Sequence, residues 1–526
     1  MNLRSLLCAI VAGCMLNAQA LDPKKLWQAP VDTWPTYNGD YSGRRFSPLS
    51  RISPENVQSL TLAWVFRTSS TTGDLGGAVK STPLVVNGIL YFSIPDHVFA
   101  VDARSGHEIW HFSWPSKGGW HLGNRGLGMY GDWLYVETPD CNLVSLNSKD
   151  GSERWHKQIC DLDQFYTASG APVVIGDHVI VGVSGDDLDI PGYLESRDPE
   201  TGEPQWHWSS VPKPGEPGSE TWPNAEAMEH GGGMTWLPCT FDSELKLLYL
   251  GTGNPQPVIA GKGRKGDNLF TESIVALHVD TGKLAWYFQP SPHDTHDWDA
   301  VETPVLIDGE VDGRPRKLLA QASRNGYFFV LDRTNGKNVI TSEFVKTNWA
   351  KGVDSKGQPI PNPAKAPQVD GALVTPNQGG AANWPPPSFS PLTGLFYVNA
   401  TRAFSEYYIF DDTEKPEGWS GNDRGGGGES MLQAIDYRTG KIRWSHKWEG
   451  PGARAGVLTT AENLVFTGDS STNFIALDAK SGDPYWHANL GAAVSNGPIS
   501  YELDGAQYVV VGAGDALFGF VMQSSK

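Results

Sequence analysis

The sequence predicts an all-β protein, an eight-bladed β-propeller whose repeats dock through tryptophan. One short unit recurs along the chain: an apolar strand, a turn at an acidic or polar residue and a glycine, then a tryptophan that opens the return strand. The clearest copy runs from Ala434 through Asp436 and Gly440 to Trp444. Copies are spaced about forty to fifty residues apart, as in radial β repeats. Helical periodicity is hard to find anywhere.

Each part of the unit has a physical role. Gly440 suits a turn position of positive φ, and Asp436 can bond backbone amides across the turn. Trp444 brings a large apolar surface to bury. The other copies carry Trp110, Trp155, Trp206, Trp286 and Trp486, while the copy at Val330–Gly336 lacks a tryptophan.

Trp64 fits an eighth unit, and its partner strand must come from elsewhere in the chain. We expect Gln507–Gly512 to complete a blade with the N-terminal strand that holds Trp64, because closure of the ring removes free sheet edges. Residues 21–526 are therefore predicted to form a single propeller domain.

The chain begins with a predicted secretory signal. Residues 1–20 contain Arg4, an apolar run at 6–16 and Ala18-Gln-Ala20, a small-residue cleavage site. The apolar run is too short to span a bilayer, so we expect an exported, periplasmic protein without a membrane span. An irregular arm follows at 21–60. Pro- and Gly-rich insertions at about 211–230, 350–382 and 411–428 are expected to carry function.

Charge and cysteine content limit the function further. The net charge of −18 argues against nucleic-acid binding; it suits a basic protein partner, or simply an acidic surface. Cys141 and Cys160 flank one repeat hairpin and could pair in an oxidising compartment. The sequence contains no Cys-x-x-Cys-His, so no haem is expected on it.

One nucleotide-binding pattern fails in its context. Gly126–Gly131 matches G-x-G-x-x-G, but a strand-like segment follows where a helix should begin.

Another set of segments points to different chemistry. Pro292–Asp299 is dense in carboxylates, Asn254 lies in a tight turn, Ser184–Asp187 places two carboxylates after a β run, and Arg324 offers a fixed cation. Carboxylates and amides are the ligands of a hard cation, and a nearby arginine suits an anionic ligand.

With these segments, the sequence resembles the pyrroloquinoline quinone (PQQ)-dependent alcohol dehydrogenases of the methanol and ethanol dehydrogenase type. The resemblance covers nearly the whole mature chain. The strings that carry it are Asn124-Arg-Gly126, Ser184–Asp187, Gly192-Tyr, Gly231–Gly233 with Trp236, Gly251–Pro255, Gly266–Asn268, Pro292-His-Asp294, Arg324–Gly326 and Asn383-Trp384.

The resemblance implies roles for individual residues. Asp297 is the expected catalytic base for the alcohol proton, and Arg324 the cation beside the quinone oxygens. The implied metal ligands are Asp187, Asn254, Asp297 and Asp299. The implied cofactor contacts are Lys80, Arg125, Ser169, Ser184, Gly185, Asp186, Trp236, Arg324 and Asn383, with the Trp236 indole beneath the cofactor ring.

Three departures from the family pattern affect the site. Asp187 replaces the usual glutamate. Gly119-Trp120 replaces an adjacent cysteine pair, and Lys80 stands where a glutamate is common. Three carboxylates around one ion suit a trivalent charge, so we favour a lanthanide over Ca²⁺.

The expected reaction is oxidation of an alcohol to an aldehyde by hydride transfer to PQQ, with electrons passed to a separate cytochrome c. Two alternatives stay open. In the first, the substrate is a sugar, polyol or aldehyde. In the second, the chain is a non-catalytic propeller scaffold that binds proteins.

Overall fold

A computed structural model describes residues 21–73, 77–119, 121–185, 189–410, 420–450 and 455–522. The fold is built of strands. The described residues contain two short α-helices, Ser69–Thr72 and Ala225–His230. The 3-10 helices are Pro23–Trp27, Val57–Ser59, Leu162–Gln164, Ser219–Thr221, Gly261–Arg264 and Pro363–Lys365. Among the described residues, no helix combines the length and apolar character needed to cross a membrane.

Eight sheets, each built on four antiparallel strands, account for most of the described chain, and we number them sheets 1 to 8. Sheet 1 contains Leu84–Val86, Ile89–Ile94, His97–Asp102 and Glu108–Ser113. Sheet 2 contains Gly128–Tyr130, Trp133–Thr138, Asn142–Asn147 and Glu153–Gln158. Sheet 3 contains Val173–Ile175, His178–Gly182, Tyr193–Arg197 and Pro204–Ser209. Sheet 4 contains Thr240–Asp242, Leu247–Gly251, Ile274–His278 and Leu284–Phe288.

The second half of the chain repeats this arrangement. Sheet 5 contains Val305–Val311, Arg314–Ala322, Tyr327–Asp332 and Asn338–Glu343. Sheet 6 contains Ser388–Ser390, Leu395–Arg402, Glu429–Asp436 and Lys441–Lys447. Sheet 7 contains Leu458–Thr460, Leu464–Gly468, Asn473–Asp478 and Pro484–Asn489, with Phe46–Ser47 paired parallel to its first strand. Sheet 8 contains Ile499–Leu503, Ala506–Ala513, Ala516–Met522 and Leu60–Arg67.

Two smaller sheets lie in the insertions. Ala350–Val353 pairs with Pro359–Pro361. Ala372–Val374 and Gly421–Gly425 both pair with Ser405–Ile409.

The two ends of the described chain meet in sheet 8. Leu60–Arg67 pairs antiparallel with Ala516–Met522, which itself pairs with Ala506–Ala513. The sequence predicted that Gln507–Gly512 would share a sheet with the strand that holds Trp64, and this is confirmed. The strand that pairs directly with Leu60–Arg67 is Ala516–Met522, which the sequence did not single out.

The repeat tryptophans join one sheet to the next. The indole N–H of Trp444 in sheet 6 donates to the Ala479 carbonyl in sheet 7 (3.1 Å). Trp110, Trp206 and Trp286 make the equivalent bond to the following sheet, at 3.0, 2.7 and 3.0 Å. These bonds satisfy a buried donor while the ring fills the space between sheets, as the repeat predicted.

The remaining sheet contacts run through other atoms. The Trp155 ring of sheet 2 lies against Gly202, in the last turn of sheet 3. In sheet 5, which has no repeat tryptophan, Ser342 Oγ donates to the Gly440 carbonyl (2.8 Å). The rings of Trp486 and Phe520 join sheets 7 and 8 at 5.2 Å, and Trp64 of sheet 8 donates to the carbonyl of Ala103, in the last turn of sheet 1 (3.3 Å).

The N-terminal arm crosses several sheets. The backbone of Tyr41 and Ser42 accepts from Phe241 (2.9 Å) and Leu306 (2.8 Å), at the first strands of sheets 4 and 5. The fully buried Arg45 donates to carbonyls that include that of Pro498 (2.7 Å), next to sheet 8. The arm therefore contacts sheets 4 and 5 as well as the segment that leads into sheet 8.

Cys141 and Cys160 form a disulfide, with a Cα–Cα distance of 4.9 Å, and Cys239 is free and buried. The pairing that the sequence allowed is thereby confirmed. The bond closes the hairpin of sheet 2 next to the segment that leads to Ser169.

Candidate active site

Arg324 lies at the centre of the candidate site. Its turn follows Arg314–Ala322 and is closed by a hydrogen bond from Ser323 N to the Tyr327 carbonyl (2.9 Å). Arg324 Nη2 is 3.2 Å from Asp297 Oδ2, and Nη1 is 3.0 Å from Asp299 Oδ2. All three side chains are buried. Burial alone would lower the pKa of Arg324, but the charges of both aspartates outweigh it and raise the pKa, so the guanidinium stays charged.

Hydrogen bonds within the loop fix the segment that carries Asp297 and Asp299. Asp294 Oδ2 accepts from the backbone N–H groups of His296 (3.0 Å) and Trp298 (3.2 Å). Asp297 adopts a left-handed conformation with φ of 64°, which Asp tolerates better than most residues. The turn therefore directs Asp297 towards Arg324, and the Trp298 ring stacks on His296 at 4.4 Å.

Asn254 is joined to the same loop through backbone contacts. Its N–H donates to Asp299 Oδ1 (2.7 Å), and Ala300 N donates to the Thr252 carbonyl (3.0 Å). Gly251 makes this approach possible, since a Cβ there would lie 1.6 Å from the Ala300 carbonyl oxygen. The turn Gly251-Thr-Gly-Asn254 is therefore fixed against the acidic loop.

The side chains around Asn254 fit a hard cation. Asn254 is fully buried, and its Oδ1 accepts no hydrogen bond. A buried acceptor without a donor is costly, and amide oxygens bind hard cations. No three His, Cys, Asp or Glu side chains in the described ranges are arranged to hold a metal by themselves. The expected ligand set, however, contains an asparagine and Asp187, and Asp187 lies outside the described residues.

Burial raises the pKa of Asp299, and the nearby Arg324 charge and the hydrogen bonds from Asn254 N and Trp236 oppose that rise. The Trp236 indole N–H donates to Asp299 Oδ2 at 3.1 Å. Trp236 is thus attached directly to the acidic loop.

A second group of predicted residues lies against Trp236. The Arg125 guanidinium lies 4.7 Å from the Trp236 ring centre and 5.6 Å from that of Trp384. Arg125 Nη1 donates to Ser169 Oγ (2.6 Å), which is 2.8 Å from Ser184 Oγ. A buried cation between two indoles, beside two hydroxyl groups, suits a flat anionic ligand.

The other predicted cofactor contacts that the structure describes have no direct hydrogen bond shown to the Arg125–Trp236 group. Lys80 Nζ donates to the carbonyl of Leu122, three residues before Arg125. Asn383 Nδ2 donates to the Gly379 carbonyl (2.9 Å), and Gly185 has a φ of 128°. Asp186, Asp187 and Trp120 lie outside the described residues.

Three residues of the site were not predicted from the sequence. Gln378 Nε2 donates to Asp297 Oδ2, and the Gln378 carbonyl accepts from Arg324 Nη2 (2.9 Å). Glu272 and Glu302 are buried, and no oxygen of either carboxyl has a hydrogen-bond partner. Burial raises the pKa of both well above the ordinary value. An acidic residue beside an apolar strand was the one sequence signal for the glutamates, whereas Gln378 had none beyond its place in a long insertion.

Two cavities open near the site. One, of about 560 Å³, is lined by Gly380, Asn383 and Trp384, and a Cβ on Gly380 would contact the Arg324 side chain. The other, of about 350 Å³, is lined by Asp294 and other residues of the same loop, but by none of the predicted site residues that the structure describes. The first cavity is therefore the better placed for a substrate.

Comparison with known families and proteins gives a consistent result. Residues 34–372 match the family model described as the glucose/ethanol/alcohol dehydrogenase β-propeller domain of the PQQ type. Residues 428–521 match a second model, described as outer membrane protein assembly factor BamB. Both the resemblance and the β-propeller fold are thereby confirmed.

Individual relatives agree. The chain is 38% identical, over 95% of its length and 75% of the relative's, to a quinohemoprotein alcohol dehydrogenase of Comamonas testosteroni. It is 32% identical, over 91% of its length and 74% of the relative's, to 1-butanol dehydrogenase (cytochrome c) of Thauera butanivorans. The solved structure of a europium-containing methanol dehydrogenase superposes with a TM-score of 0.84 and 28% identity, over 93% of this chain and 98% of that one.

Proposed function

The chain belongs to the family of PQQ-dependent alcohol dehydrogenases, and from that premise we propose that it oxidises an alcohol to an aldehyde at the Asp297–Arg324 site. One observation carries the proposal: Arg324 bridges two buried aspartates, beside an Asn254 side-chain oxygen that accepts no hydrogen bond. A protein-binding scaffold has no use for this arrangement, since buried charges and unpaired acceptors lower stability.

Asp297 would take the proton of the alcohol hydroxyl. Arg324 Nη2 and Gln378 Nε2 both donate to Asp297 Oδ2, and these two bonds fix the orientation of the carboxylate. A positioned general base of this kind contributes about 10²–10⁴-fold to the rate. Arg324 also provides positive charge where oxygens become more negative during the reaction.

Arg125, Ser169, Ser184 and Trp236 would hold PQQ, together with Lys80, Gly185, Asp186 and Asn383. When bound, PQQ supplies the hydride acceptor, and a metal ion acts as a Lewis acid on its carbonyl. Trp236 offers a flat apolar face, and the Arg125 guanidinium suits a carboxylate.

Asp187, Asn254, Asp297 and Asp299 would hold the ion. We propose a lanthanide in preference to Ca²⁺, since a trivalent charge compensates three carboxylates better. The similarity to a europium-containing methanol dehydrogenase supports this choice, and the buried, unpaired Asn254 oxygen supports a cation of either charge.

The remaining parts of the proposal concern the ring, the compartment and the electron acceptor. We propose eight blades, one for each of sheets 1 to 8, since contacts lead from each sheet to the next and from sheet 8 to sheet 1. Residues 21–526 would form this single domain after removal of a signal at 1–20 and export to the periplasm. A separate cytochrome c would accept the electrons, and the name of the Thauera butanivorans relative supports cytochrome c as the acceptor.

The test is dye reduction by purified protein that has been supplied with PQQ and either La³⁺ or Ca²⁺. Asp297→Asn should lower kcat by about 10²–10⁴-fold, since it removes the general base, while PQQ absorbance is retained. Asp308→Asn is the matched control, because that carboxylate is 75% exposed and pairs with Arg333 away from the site. Full activity of Asp297→Asn would show that the base is wrongly assigned.

The same assay separates the alternatives. Alcohols, sugars, polyols and aldehydes are tested in parallel with each metal. Turnover of a sugar or an aldehyde alone would replace the alcohol as substrate. An unchanged absorbance spectrum with PQQ, and no dye reduction with any of these compounds, would leave the scaffold as the better interpretation.

A further inference from the structure

Glu272 is a buried carboxylate that no catalytic role assigned above explains. It has no exposed surface, and neither Oε1 nor Oε2 has a hydrogen-bond partner. Ionised or not, a carboxyl group in that state is costly unless something else binds it. The residue also has a φ of 49°, so the backbone at this point is held in an uncommon conformation.

The position of Glu272 is set by the turn that carries Asn254. Glu272 N donates to the Gly253 carbonyl (2.9 Å), which places the two segments side by side one residue before Asn254. A Cβ on Gly253 would lie 3.1 Å from Asp299 Oδ1. Glu272 and Asn254, whose side chains both have buried oxygens without hydrogen-bond partners, therefore lie on neighbouring segments, and Asn254 N donates to Asp299 Oδ1 (2.7 Å).

The surrounding charges distinguish Glu272 from Glu302, the other buried carboxyl group near the site. The charges that act most strongly on Glu272 are those of Asp294 and Asp299, both acidic. For Glu302 the leading charge is that of Arg324, which already provides a cation. Three aspartates, Asp294, Asp299 and Asp297, thus act on Glu272 against the one cation Arg324, and a bound cation would stabilise this arrangement.

We propose that the Glu272 carboxylate lies next to the metal site, close to Asn254 and Asp299, and that its charge favours a trivalent over a divalent ion. The inference rests on the proposed function, which supplies the ion. Because Arg324 bridges Asp297 and Asp299 in this structure, an ion must compete with that guanidinium. A further carboxylate near Asn254 would help it do so.

The experiment measures metal retention as well as activity. Wild type, Glu272→Gln and Glu302→Gln are loaded with PQQ and either La³⁺ or Ca²⁺, and free metal is removed. Bound metal and PQQ are quantified, and a chelator titration then gives the apparent metal affinity. Glu272→Gln should weaken La³⁺ binding by about tenfold or more and Ca²⁺ binding by less, since the attraction of one carboxylate grows with ion charge. Glu302→Gln should change either affinity by less than about threefold, because its leading partner is Arg324.

Each outcome bears on one of the two proposals. Equal affinity in Glu272→Gln and wild type, or equal losses in Glu272→Gln and Glu302→Gln, would overturn the role of Glu272 while the proposed function stands. Wild type that retains neither metal nor PQQ would overturn both. Melting of the metal-free proteins checks folding, and Glu272→Ser, which also removes the charge, replaces Glu272→Gln if the latter does not fold.

Discussion

Replacing Glu137 with glutamine should make the protein more stable at neutral and alkaline pH. Glu137 lies in Trp133–Thr138 with 2% of its surface exposed, and its Oε2 accepts from the N–H of Gly170 (2.7 Å), next to Ser169. Burial raises its pKa from 4.5 to about 7, and backbone hydrogen bonds and the Arg125 charge offset this only in part. The folded protein therefore holds this proton more tightly than the unfolded chain.

The difference in pKa between the folded and the unfolded protein sets how the free energy of unfolding changes with pH. A carboxyl group with a raised pKa contributes stability that is fully present below pH 4.5 and is lost as the pH rises through about 7. The loss amounts to about 3 kcal/mol, at 1.36 kcal/mol per pKa unit. Glutamine keeps an acceptor for Gly170 N–H and does not titrate, so the Glu137→Gln variant should escape that loss.

Denaturant unfolding of PQQ-free protein at pH 4.5 and pH 8 provides the assay. Relative to wild type, the variant should gain about 3 kcal/mol on going from the lower to the higher pH. Glu200→Gln is the matched control, because the Glu200 side chain is 73% exposed. A stability difference between Glu137→Gln and wild type that is the same at both pH values would refute the reasoning.

Two further predictions concern the scaffold. Reduction of the Cys141–Cys160 disulfide should lower the free energy of unfolding by about 3 kcal/mol, because it releases a loop with a sequence separation of 19 residues; comparison of oxidised and reduced protein in denaturant checks this, and equal midpoints would contradict it. Gly482→Ala should destabilise the protein by more than about 1 kcal/mol, because φ is 80° and a Cβ there would lie 2.6 Å from the Trp444 ring. Gly491→Ala has a similar φ of 76° and nothing within 4 Å of its Cβ, so equal melting temperatures for the two variants would exclude the Trp444 contact as the cause.

The repeating part of the fold could be predicted from the sequence because it depends on short-range patterns. The unit that ends at Trp444 encodes its own turn: Gly440 N donates to the Asp436 carbonyl (2.8 Å), and Gly440 has a φ of 67°. Docking of the sheets through the repeat tryptophans also followed from the repeat. The partner of Leu60–Arg67 was harder to identify, since it depends on where a closed ring returns to its start.

The site could be predicted only in part, for a related reason. Asp297, Asp299 and Arg324 were found because charged residues in tight turns stand out, and the structure brings them within hydrogen-bond distance. Gln378 is a neutral residue in an insertion, and only the folded structure brings its carboxamide to Asp297. Glu272 was not singled out, because a sequence does not show which carboxyl groups lack a partner.

The distribution of unpaired polar atoms supports an enzyme more directly than the repeats do. The same ring could serve to bind proteins, and part of the chain matches an assembly-factor model. Yet Asn254 Oδ1 and both oxygens of Glu272 are buried without partners beside Asp299, whose own pKa is raised by burial. Such a group lowers stability by several kcal/mol unless it binds something. A scaffold could replace these side chains with apolar ones at no functional loss, so their presence beside Arg324 supports the proposal of a bound cation and an anionic ligand.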